Sequence, residues 1–133
     1  MAGEEAVIVA GIGFRRGTSA EEIERAVRLA LHRFDLSAER LQAIATEVEK
    51  AAEPGPPEAA RRLAVPLVAC TATDLIAVAD RLLAPSNRVL EAKGVPSIAE
   101  ASALVVAGRN GQLLGKRIAT ARATCAIASG DGR

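Results

Sequence analysis

The sequence predicts a single three-layer α/β/α domain built on a mixed, partly parallel sheet. Three observations carry that reading. Apolar strand-like runs alternate with helical patterns through the first half of the chain. The strand-like runs near the end follow one another over a short gap, which needs an antiparallel pair. Half of the 133 residues are hydrophobic and 25% are charged, so a core can form and disorder is excluded. One domain over 1–133 suits this length, with 129–133 as a loose tail.

The elements follow in order. Residues 6–11, AVIVAG, form a continuous apolar run, the mark of a strand buried on both faces. A glycine-rich loop, GIGFRRGTS, comes next. Ser19 and Glu22 have capping-box spacing, with Thr18 and Glu21 as an offset second possibility, and Ile23, Val27, Ala30, Leu31 and Phe34 then make one helical stripe. Residues 41–48 read as a second strand, and 47–57 as a proline-rich turn. A short helix over 58–63 begins near Pro57. Residues 65–71 form a third strand, and Thr73 caps a helix over 74–83. A break at 84–87, a short helix over 88–93 and a stop at Gly94 follow. Ser97 and Glu100 open another helix, closed by Gly108. Residues 112–114 and 119–128 are strand-like, the latter alternating Thr120, Arg122 and Thr124 with small apolar residues.

Composition removes several function classes. Net charge is +1, and Phe14 and Phe34 are the only aromatic residues. Neither long-range charge nor base stacking is available for nucleic acid. The N-terminus is acidic where a signal peptide is basic, and no run is long enough for a bilayer span, so a cytoplasmic protein is expected. Cys70 and Cys125 lie in apolar runs and read as buried hydrophobes. No Cys/His cluster offers a metal site, and no cofactor is expected. His32 falls off the helical stripe and reads as an exposed residue.

The glycine loop is the chemical feature. A helix N-terminus presents unpaired amides and a partial positive charge. Gly11, Gly13 and Gly17 would let an anion approach, while Arg15 and Arg16 add forked donors and Thr18 and Ser19 add hydroxyls. The spacing Gly11-x-Gly13-x-x-x-Gly17 is one residue too long for the dinucleotide fingerprint, and the P-loop lysine is missing. In parallel sheets ligands sit at the carboxyl ends of strands. Lys50, Glu53, Thr71 and Thr73 would share that edge with the arginines. Glu100 is either a capping carboxylate or a contact in the same cleft. Lys116 and Arg117 are either a solvated pair or part of it. No spacing rule supports two-carboxylate chemistry by Glu53 and Glu100.

Four segments resemble the CobE/CbiG C-terminal family of cobalamin biosynthesis. They are VAGIGFRRGTSAEEIERAV, KAAEPGPPEAARRLAVPLVACTATDLIAV, KGVPSIAEASALVVAG and GKRIATARATCAIA, in the family's order across nearly the whole chain. One position departs from it: Phe14 stands where the family often has cysteine, so a thiol there is not required. That phenylalanine either packs or lies against a flat macrocycle.

The resemblance implies a protein acting on corrin-ring (precorrin) intermediates. The expected role is binding such an intermediate as a carrier or accessory protein of the aerobic pathway. One alternative is a hydrolase that opens the precorrin lactone with release of acetaldehyde, as the longer CbiG proteins are linked to. Another is an accessory subunit docking on a different pathway enzyme. Expected partners are a precorrin or cobalt-precorrin and other cobalamin-pathway enzymes; any metal arrives inside the macrocycle. Ligand contacts are expected from Gly11, Gly13, Phe14, Arg15, Arg16 and Gly17. Thr18, Ser19, Lys50, Glu53 and Thr71 extend that set, with Ser97, Glu100 and Lys116 from the later segments. Were the protein an enzyme, Glu53, Glu100 or Lys116 would supply acid-base chemistry.

Overall fold

A computed structural model describes residues 6–79 and 97–132. The expected break at 84–87, the short helix over 88–93, its stop at Gly94 and the end of the 74–83 helix lie outside them.

The first strand, β1, spans Val7–Phe14 and runs through the glycines rather than stopping at Gly11. Helix α1 follows over Ala20–Arg33, with Ser19 accepting from the Glu22 amide as its cap. A 3₁₀ turn at Ala38–Arg40 leads into β2, Leu41–Glu47. The proline-rich turn contains a short helix, α2, at Val48–Ala51. Helix α3, Gly55–Leu63, starts three residues before the sequence expectation, with proline in its first turn. Strand β3 is Leu67–Cys70 and helix α4 is Ala72–Ala77. The cap of α4 is Thr71, not Thr73: its hydroxyl accepts from the Asp74 amide and Asp74 returns the bond to Thr71. Helix α5 spans Ile98–Ala107, capped by Ser97. Strands β4 (Gln112–Leu113), β5 (Ile118–Ala119) and β6 (Ala123–Gly130) end the fold.

The sheet order is β3-β2-β1-β6-β4, with β5 also pairing with β6. Strands β1, β2 and β3 are parallel, and β6 is antiparallel to β1. The mixed α/β class expected from the sequence is what forms. The alternating run over 119–128 is not one strand. Thr120 folds the chain back: its amide donates to the Ala123 carbonyl at 2.8 Å, and its hydroxyl accepts from the Ala123 amide at 3.2 Å. The residues expected as a loose tail are partly ordered by pairing. Ser129 and Gly130 pair with Ile8 and Val7, and the Gly132 amide donates to the Ala107 carbonyl.

Two cores flank the sheet. On one face Ile8, Ala10, Ile12 and Phe14 pack with Ile44 and Ile127 against α1 and α3. On the other, Val9, Ala43, Ala45, Cys70 and Ala128 pack against α5. The alanine-rich composition has a geometric use here. A Cβ on Gly11 would lie 1.9 Å from the Ala99 carbonyl oxygen and 2.6 Å from the Ala103 amide nitrogen. Gly11 therefore lets α5 lie directly on β1. Its lack of a side chain is explained by packing.

Candidate functional site at the carboxyl edge of the sheet

The parallel strands end at Phe14, Glu47 and Cys70. Helix α5 runs opposite to β1, because its Ala99 lies over Gly11 and its Ala107 over Gly130. Its first turn therefore shares the carboxyl edge with the loop after β1. The β5–β6 turn arrives there too, since Gly13 pairs with Thr124 and Thr124 with Ala119.

The loop after β1 is tied down from two sides. The Arg15 amide donates to the Arg122 carbonyl at 3.0 Å, and Arg122 Nη2 donates to the Arg16 carbonyl at 3.1 Å. Thr18 is buried, and both its amide and its hydroxyl donate to the Arg15 carbonyl. Gly17 turns with φ 81°, where glycine is favoured. Arg15, Arg16 and Arg122 are all exposed, and none has a carboxylate partner among the described residues. Three arginines thus sit on two bonded turns with no carboxylate partner among the described residues. Arg122 was not among the residues expected from the sequence.

The amides expected to await an anion are partly occupied. The Gly17 amide donates to Glu53 Oε1 at 3.0 Å, and Glu53 Oε2 lies 4.0 Å from Lys50 Nζ. Lys50 Nζ in turn sits 5.1 Å from the Phe14 ring centroid. Phe14 itself is 9% exposed and belongs to the core, so it packs rather than presenting its face to solvent. Gly17, Thr18, Ser19, Glu53 and Glu58 line a shallow cleft of about 320 Å³ that neither Arg15 nor Arg16 lines. Its Glu58 carboxyl is held below the ordinary range by its hydrogen bond to Arg61.

On the α5 side the edge carries a polar row. Glu47 pairs with Cys70, and Gly13 pairs with Thr124, whose hydroxyl donates to the Gly13 carbonyl at 3.4 Å. Glu47 stands next to Gly13, two residues beyond the Gly11–Ala45 pair. It is 8% exposed, at the position where the expected strand over 41–48 and the expected turn over 47–57 overlap. Above the row, the Ser97 hydroxyl accepts from the Glu100 amide at 3.3 Å. The Glu100 side chain is fully buried, and its Oε1 accepts from Arg117 Nη1 at 3.2 Å instead of returning to the cap. Of the basic pair, Arg117 reaches Glu100, while Lys116 is exposed. Thr71 is committed to its cap. Among the described residues, no group of three or more His, Cys, Asp or Glu side chains could hold a metal ion. Nor is any helix there long and apolar enough to cross a membrane.

The geometry defines an open-sheet α/β domain whose polar groups converge at the carboxyl ends of its parallel strands. Residues 8–128 match the family described as Cobalamin synthesis G C-terminus, and the chain belongs to that family of cobalamin-biosynthesis proteins. It is 37% identical over 121 residues to Protein CobE of Sinorhizobium sp, covering 91% of this chain and 79% of that one. Its fold superimposes on the crystal structure of CobE, a protein from the cobalamin (vitamin B12) biosynthetic pathway. The TM-score is 0.89 at 35% identity, over 95% of this chain and 92% of the other. The cobalamin biosynthesis protein chiG from Agrobacterium tumefaciens str. C58 matches with TM-score 0.75 and 37% identity, over 93% and 98% of the two chains.

Proposed function

We propose that this protein binds a carboxylate-rich corrin-ring intermediate at the carboxyl edge of its sheet, as a carrier or accessory protein of the cobalamin pathway. The observation that carries the reading is the cluster of Arg15, Arg16 and Arg122, exposed and without carboxylate partners among the described residues. Corrin precursors bear several acetate and propionate side chains. A planar guanidinium matches a carboxylate through two parallel bonds. Each charge-assisted bond contributes about 1.5–3 kcal/mol net, so two or three support micromolar binding after the cost of association. Cross-bonding between the two turns fixes where the three side chains start, which lowers the ordering cost of binding.

Titration of the purified protein with a precorrin, followed by its visible spectrum, tests this. The triple substitution Arg15→Ala, Arg16→Ala and Arg122→Ala is expected to weaken binding at least tenfold. Unchanged affinity refutes the reading. The bound chromophore should keep its mass; a mass change with acetaldehyde release would make the protein a hydrolase instead.

A further inference from the structure

The peptide group between Arg16 and Gly17 is held at both ends. Its carbonyl accepts from Arg122 Nη2 at 3.1 Å, and its N–H donates to Glu53 Oε1 at 3.0 Å. A guanidinium on the carbonyl polarises the peptide and makes its N–H a stronger donor toward negative charge. The charge that answers is internal, and solvent reaches it. The Glu53 side chain is 20% exposed, Gly17 is exposed, and both line the cleft of about 320 Å³. The turn has further ties that do not involve Glu53. The Arg15 amide donates to the Arg122 carbonyl, and the Thr18 amide and hydroxyl both donate to the Arg15 carbonyl. Glu53 also has a second cation within reach, because its Oε2 lies 4.0 Å from Lys50 Nζ, the outer limit of an ion pair.

We propose that Glu53 is a built-in competitor for the ligand. In the free protein its carboxylate occupies the Gly17 amide, and a carboxylate of the bound molecule displaces it toward Lys50. This inference rests on the binding reading above. The Gly17 amide follows Arg16 directly in the chain, so a carboxylate drawn to the arginines arrives beside it. Displacement exchanges one charged acceptor for another and leaves neither the amide nor Glu53 without a partner. The turn keeps its bonds through Arg122 and Thr18 while this happens. A carrier must also release what it holds. An internal competitor lowers the affinity and takes back the amide as the ligand departs.

The probe is uroporphyrin, a macrocycle with acetate and propionate side chains, titrated against the full chain and followed by its fluorescence. Glu53→Ala vacates the amide and is expected to tighten binding at least fivefold, about the net worth of one hydrogen bond. Glu53→Asp keeps the charge but is one methylene too short to reach the amide from the same backbone. It is expected to tighten binding at least threefold, and it carries the test if the alanine variant fails to fold by circular dichroism. A folded variant of either kind that binds no more tightly than the wild type overturns the proposal. Weaker binding in both would make Glu53 a structural prop for the arginines. Tighter binding in Glu53→Ala with wild-type affinity in Glu53→Asp would reflect the lost charge alone. Those results leave the binding reading intact, provided the triple arginine substitution still weakens uroporphyrin binding at least tenfold. A triple variant that binds uroporphyrin like the wild type overturns the binding reading itself.

Discussion

The backbone amide of Gly17 donates to Glu53 Oε1 at 3.0 Å, a bond that joins segments 36 residues apart. An internal carboxylate thus takes the place at the loop that the sequence left open for an external anion. Glu53 fixes the turn that presents Arg15 and Arg16, and it does so with a charged acceptor, the stronger kind of bond. Its side chain is 20% exposed, so solvent weakens the interaction. Glu53→Ala is expected to destabilise the protein by about 1–2 kcal/mol. A lower urea midpoint with an unchanged slope is the signature. A midpoint equal to the wild type's would mean the turn holds itself through Thr18 and Arg122 alone.

Gly11→Ala is expected to be far more damaging. The new methyl would meet the Ala99 carbonyl and the Ala103 amide, both backbone atoms of α5. No rotamer change relieves that clash, so the helix must lift from β1. The contact lies between β1 and α5, and overpacking against backbone costs about 3 kcal/mol or more. Thermal unfolding checks it. Gly17→Ala is the useful contrast: open space surrounds that Cβ, and only the positive φ of 81° opposes it. Its cost should be about 1–2 kcal/mol.

Strand β1 was legible because it is buried along its length and so reads as an unbroken apolar run, and β2 was legible from its alternation. The helices were legible from capping pairs and from the stripe Ile23, Val27, Ala30 and Leu31, all buried. Gly11 and Gly13 misled the reading of β1. Glycine usually marks a turn, yet here it marks the approach of a second layer, which only tertiary packing reveals. The run over 119–128 has strand periodicity throughout, and nothing local separates it from a strand broken by the Thr120 turn. The same limit hid part of the site. Arg122 joins Arg15 and Arg16 only because β6 pairs with β1, and Glu47 reaches the buried edge only because β2 does. The Glu100–Arg117 pair joins the first turn of α5 to the loop before β5, which share no sequence pattern.

Cys125 gives a prediction in pH. Complete burial in the sheet raises its thiol far above the ordinary value of 9.0. Below about pH 9 the folded and unfolded states both carry this proton. Above it the unfolded thiol ionises while the folded one does not, so the unfolded state binds fewer protons and stability falls as pH rises. The slope from one such group is about 1.4 kcal/mol per pH unit. Between pH 8 and pH 10 the wild-type protein should therefore lose about 1.4 kcal/mol more than Cys125→Ala, measured by urea unfolding at each pH. The small cavity left by the substitution lowers the variant's stability equally at both pH values, and other titrating groups cancel in the difference. Parallel losses in the two proteins would show that the folded thiol ionises as freely as the unfolded one. The sheet around Cys125, and the β1–β6 pairing that brings Arg122 to the edge, would then be open to water.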